Sequence, residues 1–264
     1  MTIIDLRADE YAGFCTGIRR LCGIDLSQYK RAQMERRIRT FAERRGITKL
    51  PEYLGVLGEN ADELDAFLDR VTINVSQLWR NPEQWDLLAQ KVLPEFAARG
   101  RLRAWSAGSS YGAEAYTLAA VCAEVLPSAR VEIVGTDIDR RMVERARIGA
   151  FSVDDARDMP RAQRKRWFAE SGGVLQADQK LRSMCRFETG DLLTMRPAKL
   201  VYDLVLCRNT VIYFTPEVKD ALHARIAEAL VPGGTFMVGS TERITEPAGL
   251  GLEIAHPFVY RRVA

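Results

Sequence analysis

Histidine is almost missing from this 264-residue chain: there are two, His223 and His256, and neither sits in a motif. That scarcity argues against a reaction built on an imidazole base. The five cysteines (Cys15, Cys22, Cys122, Cys185 and Cys207) are odd in number and scattered. None pairs with a histidine at metal-ligand spacing, so no metal is expected and they read as reduced, small apolar residues of a cytosolic protein. No apolar run approaches the ~20 residues of a membrane span. The best stretch, Ala115 to Leu126, carries Glu124. The first ten residues contain no basic region leading into an apolar core, so neither export nor membrane insertion is expected. A net charge of +3 is too small to argue for nucleic acid as a partner. Internal repeats and low-complexity tracts are absent. What remains, 47% hydrophobic and 28% charged residues, is an ordinary globular composition with room for a large domain and a small one.

Residues 8 to about 70 read as helices only. Tyr11, Phe14, Ile18 and Leu21 share one face at helical spacing until Gly23 breaks the run. Ser27 is placed to cap a second helix with Met34, Ile38 and Phe41 as its apolar stripe. Two further helical pieces surround Tyr53–Leu57 and Leu64–Leu68. From Leu102 the pattern changes. Short β-branched runs (Val131–Gly135, Arg186–Glu188, Tyr202–Cys207, Thr235–Val238) alternate with helices at Glu114–Glu124, Arg140–Arg147 and Pro216–Leu230. That rhythm predicts an α/β domain with a mostly parallel sheet covered on both faces. The final runs, Leu252–Ile254 and Phe258–Arg261, are close enough to form an antiparallel hairpin at the edge. Such an ending is the arrangement of class I methyltransferases. A charged stretch and Gly172-Gly173 interrupt the alternation between about 150 and 185, which reads as an insertion of one or two helices and a small hairpin.

The stretch Arg-Ala-Trp-Ser-Ala-Gly-Ser-Ser-Tyr-Gly-Ala-Glu-Ala-Tyr-Thr, residues 103–117, joins a strand to a helix through a glycine turn. Strand, glycine turn and helix form a nucleotide-shaped site at the end of the first strand. A dinucleotide site wants G-x-G-x-x-G, with bare backbone against a pyrophosphate. Here three side chains separate Gly108 from Gly112, and Glu114 stands at the mouth of the helix. A carboxylate there would repel a phosphate. It suits a ligand with a cationic end, such as the ammonium or sulfonium of S-adenosylmethionine, and a methyltransferase is the expected class.

The later strand ends add candidates. Asp137, closing the second strand, can accept from both ribose hydroxyls of an adenosine; the alternative is that it or Asp139 caps the next helix. Asp191 could accept from an adenine amino group while Leu192 packs on the ring. Arg208 and Asn209 end a buried strand, and an Arg-Asn pair has no evident packing reason to be there; Tyr213 follows four residues on. Upstream, Arg80 stands beside Trp79 in an ordered turn before Pro82, where an arginine can stack or fork onto a carboxylate.

These residues together resemble CheR-type protein-glutamate O-methyltransferases, the bacterial chemotaxis receptor methylases. Thr72–Arg80 is similar to their T-x-N-x-T-x-F-F-R segment, the glycine turn to S-A-x-S-x-G-E-E-P-Y, Thr136–Asp139 to S-D-I-D and Cys207–Phe214 to C-R-N-x-x-I-Y-F. Gly23-Ile24, Tyr29-Lys30, Arg36-Arg37 and Tyr53-Leu54 also fall as in that family, so the likeness runs over nearly the whole chain. It implies an N-terminal helical docking domain over 1–72 and a methyltransferase domain over 73–264, with a small β subdomain inserted near 150–185. It implies cofactor contacts at Asn74, Ser76, Arg80, Glu114, Asp137, Asp191, Leu192, Arg208 and Asn209, with Arg80 and Tyr213 flanking the methyl group and the incoming carboxylate. The departures are Leu78-Trp79 for the double aromatic, Ala113 and Ala115 for a glutamate and a proline, and Ser240-Thr241-Glu242 for a usual His-Ser-Glu.

The implied activity is methyl transfer from S-adenosylmethionine, with S-adenosylhomocysteine as product, to receptor glutamates. A glutamate is ionised at neutral pH (reference pKa ~4.3), so no general base is needed. Helix 28–45 is rich in basic residues, and Lys30, Arg37 and Arg44 recur every seven residues along one edge. The expected partner is an acidic helical segment of a methyl-accepting receptor; a merely solvated face is the bland alternative. The short hairpin at Gly172-Gly173 predicts no grip on a receptor tail, and a cytoplasmic monomer is expected. A methyltransferase acting elsewhere, and a silent docking module, are the competing readings.

Overall fold

A computed structural model describes residues 3–72 and 76–263, with side chains from residue 10 onward. The chain divides into two compact units, Met1–Asn74 with Tyr213–Lys219, and Val75–Ile212 with Asp220–Ala264.

The smaller unit is built from α1 (Ile3–Cys22), α2 (Arg31–Glu43), α3 (Leu50–Glu59) and α4 (Ala61–Val71). Helix α1 stops where Gly23 takes φ +81°, a backbone geometry that costs glycine little. The predicted stripe holds for Tyr11, Phe14 and Ile18, which are buried, but Leu21 at the end of the helix is exposed. Ser27 does not cap α2. Asp25 instead caps a single 3₁₀ turn over Leu26–Gln28, and α2 starts later, with Lys30 at its N-cap. Asn60 caps α4 by accepting from the Glu63 N–H. Phe14, Tyr53 and Phe67 meet with ring centroids 5.9–6.2 Å apart and form the centre of this core.

The larger unit opens with a helical segment that the strand rhythm concealed: α5 (Pro82–Leu87), a wide turn over Leu88–Val92 and α6 (Pro94–Ala97). Then come β1 (Arg101–Ala107), α7 (Ala113–Val125), β2 (Arg130–Asp137) and α8 (Arg140–Ile148). The insertion holds β3 (Ala150–Ser152), a 3₁₀ turn over Asp154–Ala156, α9 (Arg161–Trp167), β4 (Phe168–Ser171), β5 (Val174–Ala177) and α10 (Gln179–Met184). The main sheet resumes with β6 (Cys185–Thr189) and β7 (Tyr202–Cys207), followed by α11 (Pro216–Ala229), β8 (Leu230–Val238), β9 (Leu252–His256) and β10 (Val259–Arg262).

Seven strands lie in the order β6-β2-β1-β7-β8-β10-β9. The first five run parallel, while β10 is antiparallel to both β8 and β9. This is the class I methyltransferase fold with its closing hairpin, as the sequence predicts. The predicted hairpin of the insertion gains a partner: β3 pairs with β5, so the small sheet is β3-β5-β4. Strand β3 is three residues long, too short to show a periodic pattern. The chain progresses outward from β1 in one direction through β2 to β6 and in the other through β7 to β8. The crevice at the carboxyl ends of β1 and β7 is therefore a topological switch point, where open α/β sheets bind their ligands.

Candidate active site

The glycine turn leaves β1 at Ala107 and is pinned to the end of β2. The N–H groups of Gly108 and Ser109 both donate to the Thr136 carbonyl, at 2.9 and 3.0 Å. Gly108 has φ +80°, and a Cβ there would stand 2.6 Å from Thr210 Oγ1. Gly112, at φ +88°, is the N-cap of α7, and a Cβ on it would press on Ala146 and Phe187 at 3.0–3.1 Å. Both glycines are thus required by backbone conformation and close packing.

Asp137 closes the loop from below. Its Oδ2 accepts from the Ser110 N–H at 2.7 Å and its Oδ1 from the Asp139 N–H at 3.0 Å. Burial pushes its carboxyl up from the usual carboxylate range, against the pull of those N–H groups. Asp139 is a helix cap, accepting from the Arg141 and Met142 N–H groups, so the capping alternative describes it.

Glu114, in the first turn of α7, accepts from Ser106 Oγ at 2.7 Å and from Arg208 Nη1 at 3.3 Å. Desolvation raises its carboxyl, and the nearby Arg208 and Arg80 charges pull it back. Arg208 is buried to 6% exposure and has the packing role that the sequence did not reveal. Its Nε and Nη2 donate to Gln84 Oε1 at 3.0 and 2.7 Å, Nη2 also donates to the Arg80 carbonyl at 2.8 Å, and the guanidinium lies 5.0 Å over the Trp85 ring. The arginine-tryptophan stack at this end of the domain is therefore Arg208 on Trp85, while Trp79 is a buried core residue. Trp85 Nε1 adds a second donor to the Arg80 carbonyl at 3.0 Å. Two donors on one carbonyl fix the backbone from which the Arg80 side chain departs.

Asn209 follows with φ +57°, and its N–H donates to Glu242 Oε2 at 2.8 Å. The same oxygen accepts from the Gly239 N–H at 2.6 Å. One buried carboxylate thus ties the ends of β7 and β8 together. Sequence reading gave Glu242 no role; the available signal was an acid placed just beyond the end of a parallel strand. Asp191 forms a local turn, accepting from the Leu193 N–H at 2.8 Å and from Thr194 Oγ1 at 3.2 Å. Leu192 is buried beside it, with its carbonyl held by Arg225 Nη2 at 2.9 Å. The Ser76 carbonyl accepts from the Tyr111 hydroxyl. Asn74 lies outside the described residues.

Gly108, Gly112, Glu114, Asp137, Asp191, Leu192, Arg208 and Asn209 therefore line one edge of the sheet, at the carboxyl ends of its parallel strands. Two buried polar atoms there, Ser109 Oγ and Glu242 Oε1, have no hydrogen-bond partner. With the carboxylates of Glu114 and Asp137, they form a donor and acceptor set that fits a cationic nucleoside better than a pyrophosphate. Among the described residues no group of three or more His, Cys, Asp or Glu side chains is placed to hold a metal ion. Of the departures from the resembled motifs, Thr241 is exposed and Ser240 half-buried, while four others fall in the core. Leu78, Trp79, Ala113 and Ala115 are all buried, so they answer to packing.

Tyr213 belongs to the smaller unit. Its carbonyl accepts from the Lys30 N–H at 2.8 Å, and Tyr29 packs edge-on against Phe214 at 5.1 Å. Tyr213 lines a cavity of about 380 Å³ with Lys30, Gln33, Met34, Arg36, Arg37, Thr40 and Arg70. Arg37 is half-buried there, its Nη1 donating to the Arg70 carbonyl at 3.1 Å. Burial pulls its guanidinium down from the usual arginine range. Arg44 does not line this cavity. It is the exposed C-cap of α2. Arg36 and Arg70 join Lys30 and Arg37 in the lining, and Arg70, coming from α4, has no sequence signal linking it to α2.

Residues 74–251 match the family described as CheR methyltransferase, SAM binding domain, and residues 9–72 match its all-alpha domain. A chemotaxis protein methyltransferase of Listeria monocytogenes is 37% identical over 260 residues, covering 98% of both chains. Chemotaxis protein methyltransferase 1 of Vibrio cholerae is 31% identical over 257 residues, covering 93% of both.

Proposed function

The chain belongs to the CheR methyltransferase family, and from that premise we propose that it methylates glutamate side-chain carboxylates of a methyl-accepting receptor protein. The coarser activity, S-adenosylmethionine-dependent methylation in chemotaxis, comes with the family. The choice of a carboxylate acceptor rests on one observation. The cavity that Tyr213 lines holds Lys30, Arg36, Arg37 and Arg70 and no acidic residue. Such a lining attracts a partner bearing carboxylates.

When bound, S-adenosylmethionine supplies a methyl group on a positively charged sulfur. Glu114 and Asp137, with the bare backbone at Gly108 and Gly112, are the residues that would hold it; Asp191, Leu192 and Asn209 would complete the adenosine side. The acceptor is ionised near neutral pH, so the chain has only to orient it and exclude water. No histidine serves as base: His223 is buried against Phe236, and His256 lies on β9. Arg80 steers the acceptor carboxylate and the Tyr213 hydroxyl donates to it. Both must be modest donors, because over-stabilising the carboxylate would blunt its attack. Lys30 and Arg37 serve docking on an acidic helix, in a cytoplasmic protein that works as a monomer.

The roles separate in kinetics. Arg80→Ala and Tyr213→Phe should lower kcat by more than tenfold while the Kd for S-adenosylhomocysteine changes by less than threefold, about 0.7 kcal/mol. Equal losses in turnover and affinity would refute these assignments.

A further inference from the structure

The segment that carries Arg80 is held by the glycine turn and the inserted subdomain at once. Within the larger unit, the Tyr111 hydroxyl lies between two acceptors, the Ser76 carbonyl and Asp155 Oδ1, the latter at 2.9 Å. Asp155 also takes part through its main chain, its carbonyl accepting from the Leu78 N–H at 2.8 Å. Thr117 Oγ1 of α7 accepts from the Trp79 N–H at 3.1 Å. Gln77 bonds to Arg157 and Asp158 of the same inserted turn. Each successive residue from Ser76 to Trp79 is thus tied to something outside the segment.

Asp155 is itself fixed. Its Oδ2 accepts from the Ser152 N–H at 2.8 Å and from Arg145 Nη2 at 3.2 Å. The Arg145 guanidinium lies 4.0 Å over the Tyr111 ring, closing a triangle of Tyr111, Asp155 and Arg145. Tyr111 stands in the glycine turn between Ser110, held by Asp137, and Gly112, the cap of α7.

The segment needs holding. Trp79 and Asn81, on either side of Arg80, take φ +57° and +58°, a region that L side chains enter at a cost. A chain released at Ser76–Leu78 can relax those angles, and Arg80 lies between them.

We propose that Tyr111 and Asp155 are a positioning pair for methyl transfer: they strap Ser76–Trp79 to the glycine turn and the inserted turn, and so aim Arg80. This rests on the assignment of Arg80 above. Neither residue touches a reacting atom; both act through the backbone that presents Arg80. The inserted subdomain thereby becomes part of the machinery that sets turnover.

Tyr111→Phe removes the hydroxyl and keeps the ring under Arg145. In the full-length protein, with a purified chemoreceptor cytoplasmic domain as acceptor, kcat should fall at least tenfold. The Kd for S-adenosylhomocysteine should stay within threefold, and the Leu78 and Trp79 amides should exchange hydrogen faster. In an Arg80→Ala background the same change should lower kcat by less than twofold. A general loss of structure would not spare that background. Should Tyr111→Phe fail to fold, Asp155→Asn serves with the same expectations. Wild-type kcat in Tyr111→Phe, or a fall of full size in the Arg80→Ala background, would overturn the strap alone. Undiminished turnover in Arg80→Ala by itself would overturn both the strap and the role of Arg80.

Discussion

Replacing Arg208 by Met separates its buried ion pair from its methylene packing. The substitution keeps an unbranched apolar stem against Trp85 and deletes the charge that Glu114 faces at 3.3 Å. Removing one partner of a buried pair costs about 3–5 kcal/mol, because the other charge is left uncompensated. The lower end applies here, since Ser106 Oγ still donates to the other oxygen of Glu114. About 3 kcal/mol corresponds to a fall in Tm of roughly 6–12 °C for a domain of this size. All four tryptophans, Trp79, Trp85, Trp105 and Trp167, lie in the larger unit, so their fluorescence reports its unfolding alone. The pH dependence gives a sharper signature. Burial already raises the Glu114 carboxyl, so its contribution to stability is full below the unfolded pKa and is lost as pH rises through the folded one. Without Arg208 the folded value rises further. The deficit of Arg208→Met against wild type should therefore shrink, below about pH 4, to the pH-independent part left by the lost hydrogen bonds to Gln84 and the Arg80 carbonyl, and grow towards neutrality. A deficit independent of pH, or a Tm within about 2 °C of wild type at pH 7, would refute the pairing.

Three other outcomes follow from the same edge of the sheet and from the basic cavity. Gly108→Ala, forced to φ +80° with its Cβ against Thr210, should weaken S-adenosylhomocysteine binding at least tenfold by calorimetry, and Thr210→Ala in the same chain should restore part of it. Glu242→Ala leaves the Asn209 and Gly239 N–H groups buried without an acceptor and should cost about 2–4 kcal/mol in urea unfolding, whereas Glu242→Gln, which keeps an acceptor oxygen, should lose less than half of that. Charge reversal at Lys30 and Arg37 should raise the KM for the receptor domain more at low salt than at high salt, with the Kd for S-adenosylhomocysteine unchanged; a salt-independent effect would count against docking there.

The residues legible in the sequence were those whose role depends on local spacing. The glycine turn could be read because Gly108, Gly112 and Glu114 lie within one strand-to-helix junction. The order of β1, α7 and β2 followed from periodicity, and the closing hairpin from the short gap at Ala255–Pro257. What escaped reading depends on side chains meeting across the fold. Gln84 and Arg208 stand far apart in the chain, yet they share hydrogen bonds of 2.7 and 3.0 Å. Glu242 joins two strand ends through backbone N–H groups that no residue pattern reports. Arg208 looked free of packing duties because its stack is on Trp85 of a helix that the strand rhythm hid. Ser27 misled because a cap depends on where the following helix begins, and the Asp25 turn delays that start to Arg31.

The chemistry of the bond formed tests the central claim most directly. The purified chain should be incubated with methyl-labelled S-adenosylmethionine and a chemoreceptor cytoplasmic domain, and the labelled receptor then exposed to mild alkali. A carboxyl ester releases its label as volatile methanol, and that release is the predicted result. Label that stays on the receptor through the alkali would mean transfer to nitrogen, and would contradict an acceptor carboxylate drawn in by Lys30, Arg36, Arg37 and Arg70.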